Sequence, residues 1–197
     1  MSGRTFIENA RTQQMDQNNN SSRRVGIVGL GLIGGSLGLD LQKLGWKVHG
    51  LVHRQKTAEQ AKRRGLAQVI STDSKILSDC ELVILALPIA KLLTPDKTLL
   101  KAIPKSSVVT DVGSVKAPIV KIWERLHPRF VGSHPMTGTA EAGVDAGLEG
   151  LFKSKSWVVT PNQTTDPEAL ATIKQLVLTL GSNWISTEAN KHDQAVA

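Results

Sequence analysis

Cysteine occurs once in this sequence, at Cys80. A lone cysteine excludes an internal disulfide and suits a reducing compartment, so the cytoplasm is the expected location. Aromatic residues make up only 4% of the chain, which leaves few platforms for stacking single-stranded bases. Long apolar runs are missing too. The longest strongly apolar stretch, Leu82 to Ala90, falls far short of the roughly 20 residues that span a bilayer, so no membrane role is expected. The N-terminal segment MSGRTFIENARTQQMDQNNNSSR lacks the apolar core of a secretory signal.

What is present describes an ordinary globular protein. Hydrophobic residues are 40% and charged residues 21% of 197, enough for one domain with a real core. Residues 1–23 are polar and rich in Asn and Gln, and are expected to form a disordered tail. The formal net charge is +7, but Lys and Arg are scattered, with nothing denser than Arg23-Arg24 and Arg63-Arg64. With so few aromatics, this argues against nucleic acid as partner. A basic excess equally suits a dinucleotide phosphate and a small anionic metabolite.

Short β-branched runs alternate with longer helical patterns, the signature of a doubly wound, mostly parallel α/β sheet of Rossmann type. Strands are expected at Arg24–Gly29, Lys47–Val52, Leu82–Leu87, Ser107–Asp111, Arg129–Ser133 and Trp157–Thr160, with shorter ones at Ala67–Ile70 and Asn183–Ser186. Helices are expected at Ile33–Leu44, Thr57–Arg64, Ile89–Ala102, Ala117–Leu126, Thr139–Gly147 and Pro167–Leu180. Gly45, Gly65 and Gly181 each follow a helical run, as left-handed helix ends prefer. Trp46, Trp123, Trp157 and Trp184 read as packing residues. The domain is expected to cover 24–187. Residues 188–197 read as a helix just beginning, hence as the start of a further, truncated domain.

The strand at Arg24 runs into Gly29-Leu30-Gly31-Leu32-Ile33-Gly34 and then a helix, a GxGxxG turn in its proper context. Gly29 permits the tight turn, Gly31 lets backbone approach a pyrophosphate, and Gly34 lets helix and strand pack closely. The helix N-terminus then offers free N–H groups and the positive end of a dipole to phosphate.

The end of the second strand selects the cofactor. Dinucleotide sites for NAD usually place an acid there to bond the ribose 2′-hydroxyl. This chain instead reads Leu51-Val52-His53-Arg54-Gln55-Lys56-Thr57. Arg54 can fork onto a 2′-phosphate and stack on adenine, with His53 and Thr57 beside it, so NADP is the expected cofactor. Leu87 and Pro88, after the strand at Leu82, complete the expected cofactor contacts.

Two further stretches fall at the carboxyl ends of later strands, where open α/β sheets bind ligands. They are Asp111-Val-Gly-Ser114-Val-Lys116 and Gly132-Ser-His134-Pro-Met-Thr137-Gly138-Thr139. Taken singly, a serine here is most often a helix N-cap, and Thr139 likewise could cap the helix expected to follow. His134 could equally be a packed or surface residue. Convergence on the cofactor crevice makes Ser114 and His134 catalytic candidates, with Thr137, Gly138, Thr139 and His192 as substrate candidates. No metal is expected, because His192 and Asp193 lack a third ligand at useful spacing.

DVGSVK followed by GSHPMTGT, behind GLGLIGGS, resembles the prephenate and arogenate dehydrogenases of tyrosine biosynthesis, and Lys191-His192-Asp193-Gln194 resembles the start of that family's helical second domain. The resemblance covers Arg24 to Ala197, and the missing acid after the second strand is similar to the NADP-using, arogenate-preferring branch. It implies an oxidoreductase that removes hydride from a cyclohexadienol with loss of CO₂. His134 would take the proton of the C4 hydroxyl, and Ser114 would orient His134 or the same hydroxyl. The family's helical domain supplies an arginine for the anionic substrate and most of a homodimer interface, so the chain as given is expected to bind NADP without turning over arogenate or prephenate. The competing readings are a dinucleotide-binding module with no turnover of its own, and another two-domain hydroxyacid or imino dehydrogenase.

Overall fold

The computed structural model describes residues 23–197. The segment expected to be a disordered tail lies outside the described residues except for Arg23. Arg23 belongs to the fold: its carbonyl accepts the Lys47 N–H at 3.0 Å, and its guanidinium stands 5.7 Å from the Trp46 ring centre.

The chain runs β1 (Arg24–Val28), α1 (Leu32–Lys43), β2 (Lys47–Leu51), α2 (Gln55–Arg63), β3 (Val69–Ser71), β4 (Leu82–Leu85), α3 (Ile89–Leu93), α4 (Lys97–Ala102), β5 (Val108–Asp111), α5 (Ala117–Leu126), β6 (Phe130–Val131), β7 (Ser133–Pro135), β8 (Ser156–Val159), α6 (Pro167–Thr179), β9 (Asn183–Ser186) and α7 (Ala189–Val196). Strands β1 to β6 form one parallel sheet in the order β3-β2-β1-β4-β5-β6, the doubly wound arrangement. The order reverses between β1 and β4, which opens a crevice at their carboxyl ends.

Helices cover both faces of this sheet, so its central strands are buried on both sides and read as continuous apolar runs. Alternate residues point to opposite faces. Ile84 joins the core with α1 and α6, while Val83 and Leu85 join the core with Leu92 and Trp123. Trp46, Trp123 and Trp157 are buried as expected, and Trp184 is half-buried. The glycines expected at helix ends do take left-handed φ, +82° at Gly45, +63° at Gly65 and +72° at Gly181. No helix of the described residues is long and apolar enough to cross a membrane.

Three expected elements differ. The run Arg129–Ser133 is not one strand but two. Phe130 and Val131 complete the parallel sheet beside β5, and the chain then leaves it at Gly132. A Cβ at Gly132 would lie 2.6 Å from Val120 and 2.8 Å from Thr160, so only glycine passes between them. Ser133–Pro135 pairs antiparallel with β8, and β8 pairs parallel with β9, making a second, three-stranded sheet. The helix expected at Ile89–Ala102 is broken at Thr94 to Asp96. Pro95 disfavours helical backbone at Thr94, and Asp96 caps the new helix by accepting the Thr98 and Leu99 N–H groups at 2.8 and 3.0 Å. The helix expected at Thr139–Gly147 does not form. Residues 138–143 are exposed, so they have no apolar face to bury, and Gly138 and Gly143 weaken helix further. Only a single 3₁₀ turn, Val144–Ala146, is present.

Candidate active site

The turn after β1 is closed where helix meets strand and open where a phosphate would approach. At Gly29, with φ +94°, a Cβ would stand 2.3 Å from the Ala86 carbonyl oxygen; at Gly34 it would stand 1.9 Å from that of Gly29. At Gly31 a Cβ would meet nothing within 4 Å. Gly31 is the N-cap of the 12-residue helix α1, and no side chain caps it. The first-turn N–H groups therefore face the crevice without a side-chain partner, as an anion site requires. Leu30 is only 2% exposed and its side chain packs in the core near Gly50, so its side chain is turned away from the crevice. Leu32 and Ile33 are partly buried against the same core.

Strand β2 ends at Leu51, and the next exposed side chains are His53 and Arg54. Arg54 occupies the N-cap position of α2 with extended backbone, and among the described residues it enters no ion pair. Thr57 is half-buried in the first turn of that helix. Leu87 and Pro88 follow β4, whose Leu85 pairs in register with Val28, so they lie beside the glycine turn. Pro88 is the N-cap residue of α3.

His134 stands inside β7 rather than after a strand, and buried polar groups hold that strand. Ser133 donates from its hydroxyl to the Asp111 carbonyl at 2.8 Å, and its Oγ lies 2.9 Å from Thr110 Oγ1. Lys116 is fully buried; its ammonium pairs with the Asp111 carboxylate and donates to the Ser133 carbonyl at 2.7 Å. Burial pushes the Asp111 carboxyl up and the Lys116 ammonium down, and the charge of each partner opposes the shift of the other.

On its other side His134 meets α7. His134 Nδ1 lies 3.0 Å from His192 Nε2, with the two rings edge to face. His192 is 3% exposed, and its Nδ1 lies 2.8 Å from Asp193 Oδ1. Asp193 in turn caps α5, accepting the N–H groups of Lys116 and Ala117 at 2.7 and 2.8 Å. Burial alone would raise the Asp193 carboxyl, but the bonds from His192, Ala117 and Lys116 outweigh it and hold the group below the usual carboxylate range. His134 is lowered to about 4, by burial first and then by the nearby Lys116 charge, so its imidazole is neutral near physiological pH.

His134 is half-buried in β7, and the neighbours it has there are not the ones expected from the sequence. Ser114 is exposed, and among the described residues no hydrogen bond joins it to His134; nor is it an N-cap, because Asp193 serves α5 instead. His192 sits behind His134, and Asp193, set aside there as half of a metal pair, is the cap. Lys116 and Asp111 were quoted in a motif but not singled out. Their spacing of five residues across a strand end carries no signal of a buried pair.

Thr137 donates to the Leu151 carbonyl at 3.3 Å. Gly138 is exposed, and the Thr139 hydroxyl accepts the Glu141 N–H at 3.2 Å in a turn, without a helix to cap. Beside them lies an open hollow of about 410 Å³ lined by Met136, Val158, Ile185, Thr187, His192 and Val196. Two of its apolar side chains are exposed, Ile185 at 42% and Val196 at 39%.

Residues 37–186 match the family model described as prephenate dehydrogenase, nucleotide-binding domain. The chain belongs to the prephenate dehydrogenase family. Its nucleotide-binding domain is 32% identical over 175 residues to the prephenate dehydrogenase of Bacillus subtilis, covering 85% of this chain and 47% of that protein. Among solved structures, arogenate dehydrogenase from Synechocystis superposes with a TM-score of 0.84 at 37% identity, covering 88% of this chain and 62% of that one. Prephenate dehydrogenase from Aquifex aeolicus, solved with hydroxyphenyl propionate and NAD⁺, gives 0.82 at 29% identity over the same shares. The chain therefore spans about half the length of the Bacillus relative and under two thirds of the solved ones.

Proposed function

We propose that this chain is the NADP-binding portion of a dehydrogenase that oxidises arogenate or prephenate with loss of CO₂. The observation that carries the reading is the neutral, half-buried His134, held between a buried ion pair and α7 in a nucleotide-binding domain of this family. The cradle suits a dinucleotide: a Cβ would collide at Gly29 and Gly34 but meet open space at Gly31. When bound, NADP supplies the hydride acceptor. Leu32, Ile33 and Gly34 would offer N–H groups to the pyrophosphate, and His53, Arg54 and Thr57 would hold the 2′-phosphate end. Leu87 and Pro88 would border the cofactor at the β4 edge.

In the proposed reaction the substrate C4–H bond breaks as hydride and the C4 hydroxyl proton passes to His134. The bond to the ring carboxylate then breaks, CO₂ leaves, and its electron pair completes the aromatic ring. His134 serves as general base because it is unprotonated at working pH. Ser114, exposed in the loop after β5, would meet the substrate hydroxyl or the nicotinamide rather than orient His134. Thr137, Gly138 and Thr139 would line the substrate side.

The test pairs affinity with turnover. NADP binding is measured on this chain, and NADPH formation from arogenate and from prephenate on the full-length gene product. His134→Asn should bind NADP like the parent and lower kcat by about 10²–10⁴. A variant turning over near the parent rate would remove His134 as the base. NADP binding without reduction by either substrate would favour a binding module.

A further inference from the structure

The chain His134–His192–Asp193 joins the proposed base to a helix that begins 54 residues after the strand carrying that base. Asp193 is ionised and offers only acceptors. It already accepts the N–H groups of Lys116 and Ala117, one on each oxygen, so a bond to His192 requires that His192 Nδ1 carry the proton. A neutral His192 then has a lone pair at Nε2, and the 3.0 Å contact leaves His134 Nδ1 as the donor. Among the described residues, His134 Nε2 has no hydrogen-bond partner.

We infer that His192 and Asp193 are positioning residues that fix His134 in its Nδ1–H tautomer and so present Nε2 as the proton acceptor. The inference rests on the proposed role of His134, and it explains why α7 packs against α5 rather than standing free. Asp193 performs two tasks with one carboxylate: it caps α5, which carries the Lys116 end of the ion pair, and it orients the imidazole behind the base. An isolated neutral imidazole prefers the opposite tautomer, with the proton on Nε2. The relay reverses that preference by giving Nδ1–H a buried acceptor. Proton transfer from substrate to the wrong tautomer would have no lone pair to receive it at that nitrogen.

The tautomer is directly readable by long-range ¹H–¹⁵N NMR of the ring nitrogens in this 197-residue chain at neutral pH. His134 should show a protonated Nδ1 and an unprotonated Nε2, and His192 likewise. In His192→Leu, which keeps the bulk and removes the acceptor, His134 should shift toward the Nε2–H form. Asp193→Asn should produce a smaller shift in the same direction, with NADP affinity unchanged within about twofold in both variants. His134 protonated at Nε2 in the parent, or a doubly protonated His192, would overturn the inference even if neither variant folded. So would an Nδ1–H His134 that persists unchanged in both variants. Because the readout needs no turnover, these outcomes stay separate from failure of the catalytic reading, which would show as absent NADPH formation whatever the tautomer.

Discussion

Asp193 caps a helix whose N-cap residue stands 77 residues earlier: its Oδ1 accepts the N–H of Lys116 at 2.7 Å. The same residue Lys116 turns its ammonium inward to Asp111 and to the carbonyl of Ser133, the neighbour of His134. The proposed base is thus clamped from two directions that share one residue. Loosening either side should disturb His134 without any change to His134 itself.

Lys116→Met should be strongly destabilising, by about 3–5 kcal/mol, because it leaves a carboxylate buried without its countercharge. Asp111 would relieve part of that by taking a proton, so the loss should shrink as pH falls. Chemical denaturation at several pH values checks both parts. The double variant Asp111→Asn, Lys116→Met should recover much of the stability. A single variant within about 1 kcal/mol of the parent would show that the pair contributes little.

Gly34→Ala and Gly31→Ala should separate folding from binding. At Gly34 the added methyl meets the Gly29 carbonyl on rigid backbone, so about 1–3 kcal/mol of stability should be lost along with nucleotide binding. At Gly31 the methyl meets nothing, so the fold should be nearly unaffected, yet NADP should weaken at least tenfold, about 1.4 kcal/mol. Equal NADP affinity in Gly31→Ala and the parent would mean that phosphate does not approach there.

Arg54→Ala should weaken NADP by about 1.5–3 kcal/mol, the scale of a hydrogen bond to a charged group, and leave NAD nearly unchanged. Calorimetry with both cofactors checks it. A parent that binds NAD as tightly as NADP would refute the assignment of the 2′-phosphate to Arg54.

Stability should depend on His134 between pH 4 and its ordinary value of 6.5. In that window the unfolded chain binds a proton that the folded chain refuses, so stability is fully present above pH 6.5 and is lost as pH falls toward 4. His134→Gln should flatten this part of the profile relative to the parent. Identical profiles would show that His134 is not held neutral by its surroundings.

Much of this was legible along the chain. Alternating apolar runs announced a parallel α/β sheet, and the glycine spacing announced a phosphate turn, because both are local consequences of backbone geometry. The Pro167 helix start and the acid-free stretch from Leu51 to Thr57 were readable for the same reason. Residue types and spacing also sufficed for the family resemblance that residues 37–186 bear out. What they could not reveal were relationships between distant segments. Strand Ser133–Pro135 exists only because residues 156–159 arrive to pair with it, and the expected helix at Thr139–Gly147 fails because nothing covers it. The burial of Lys116 against Asp111, and the reach of Asp193 to α5, depend on desolvation and capping by groups far away in sequence. Local composition determined the scaffold and named His134. Only tertiary packing decided which charge is buried, which helix is capped, and what stands behind that imidazole, because those energies arise from removal of water at contacts the chain makes once folded.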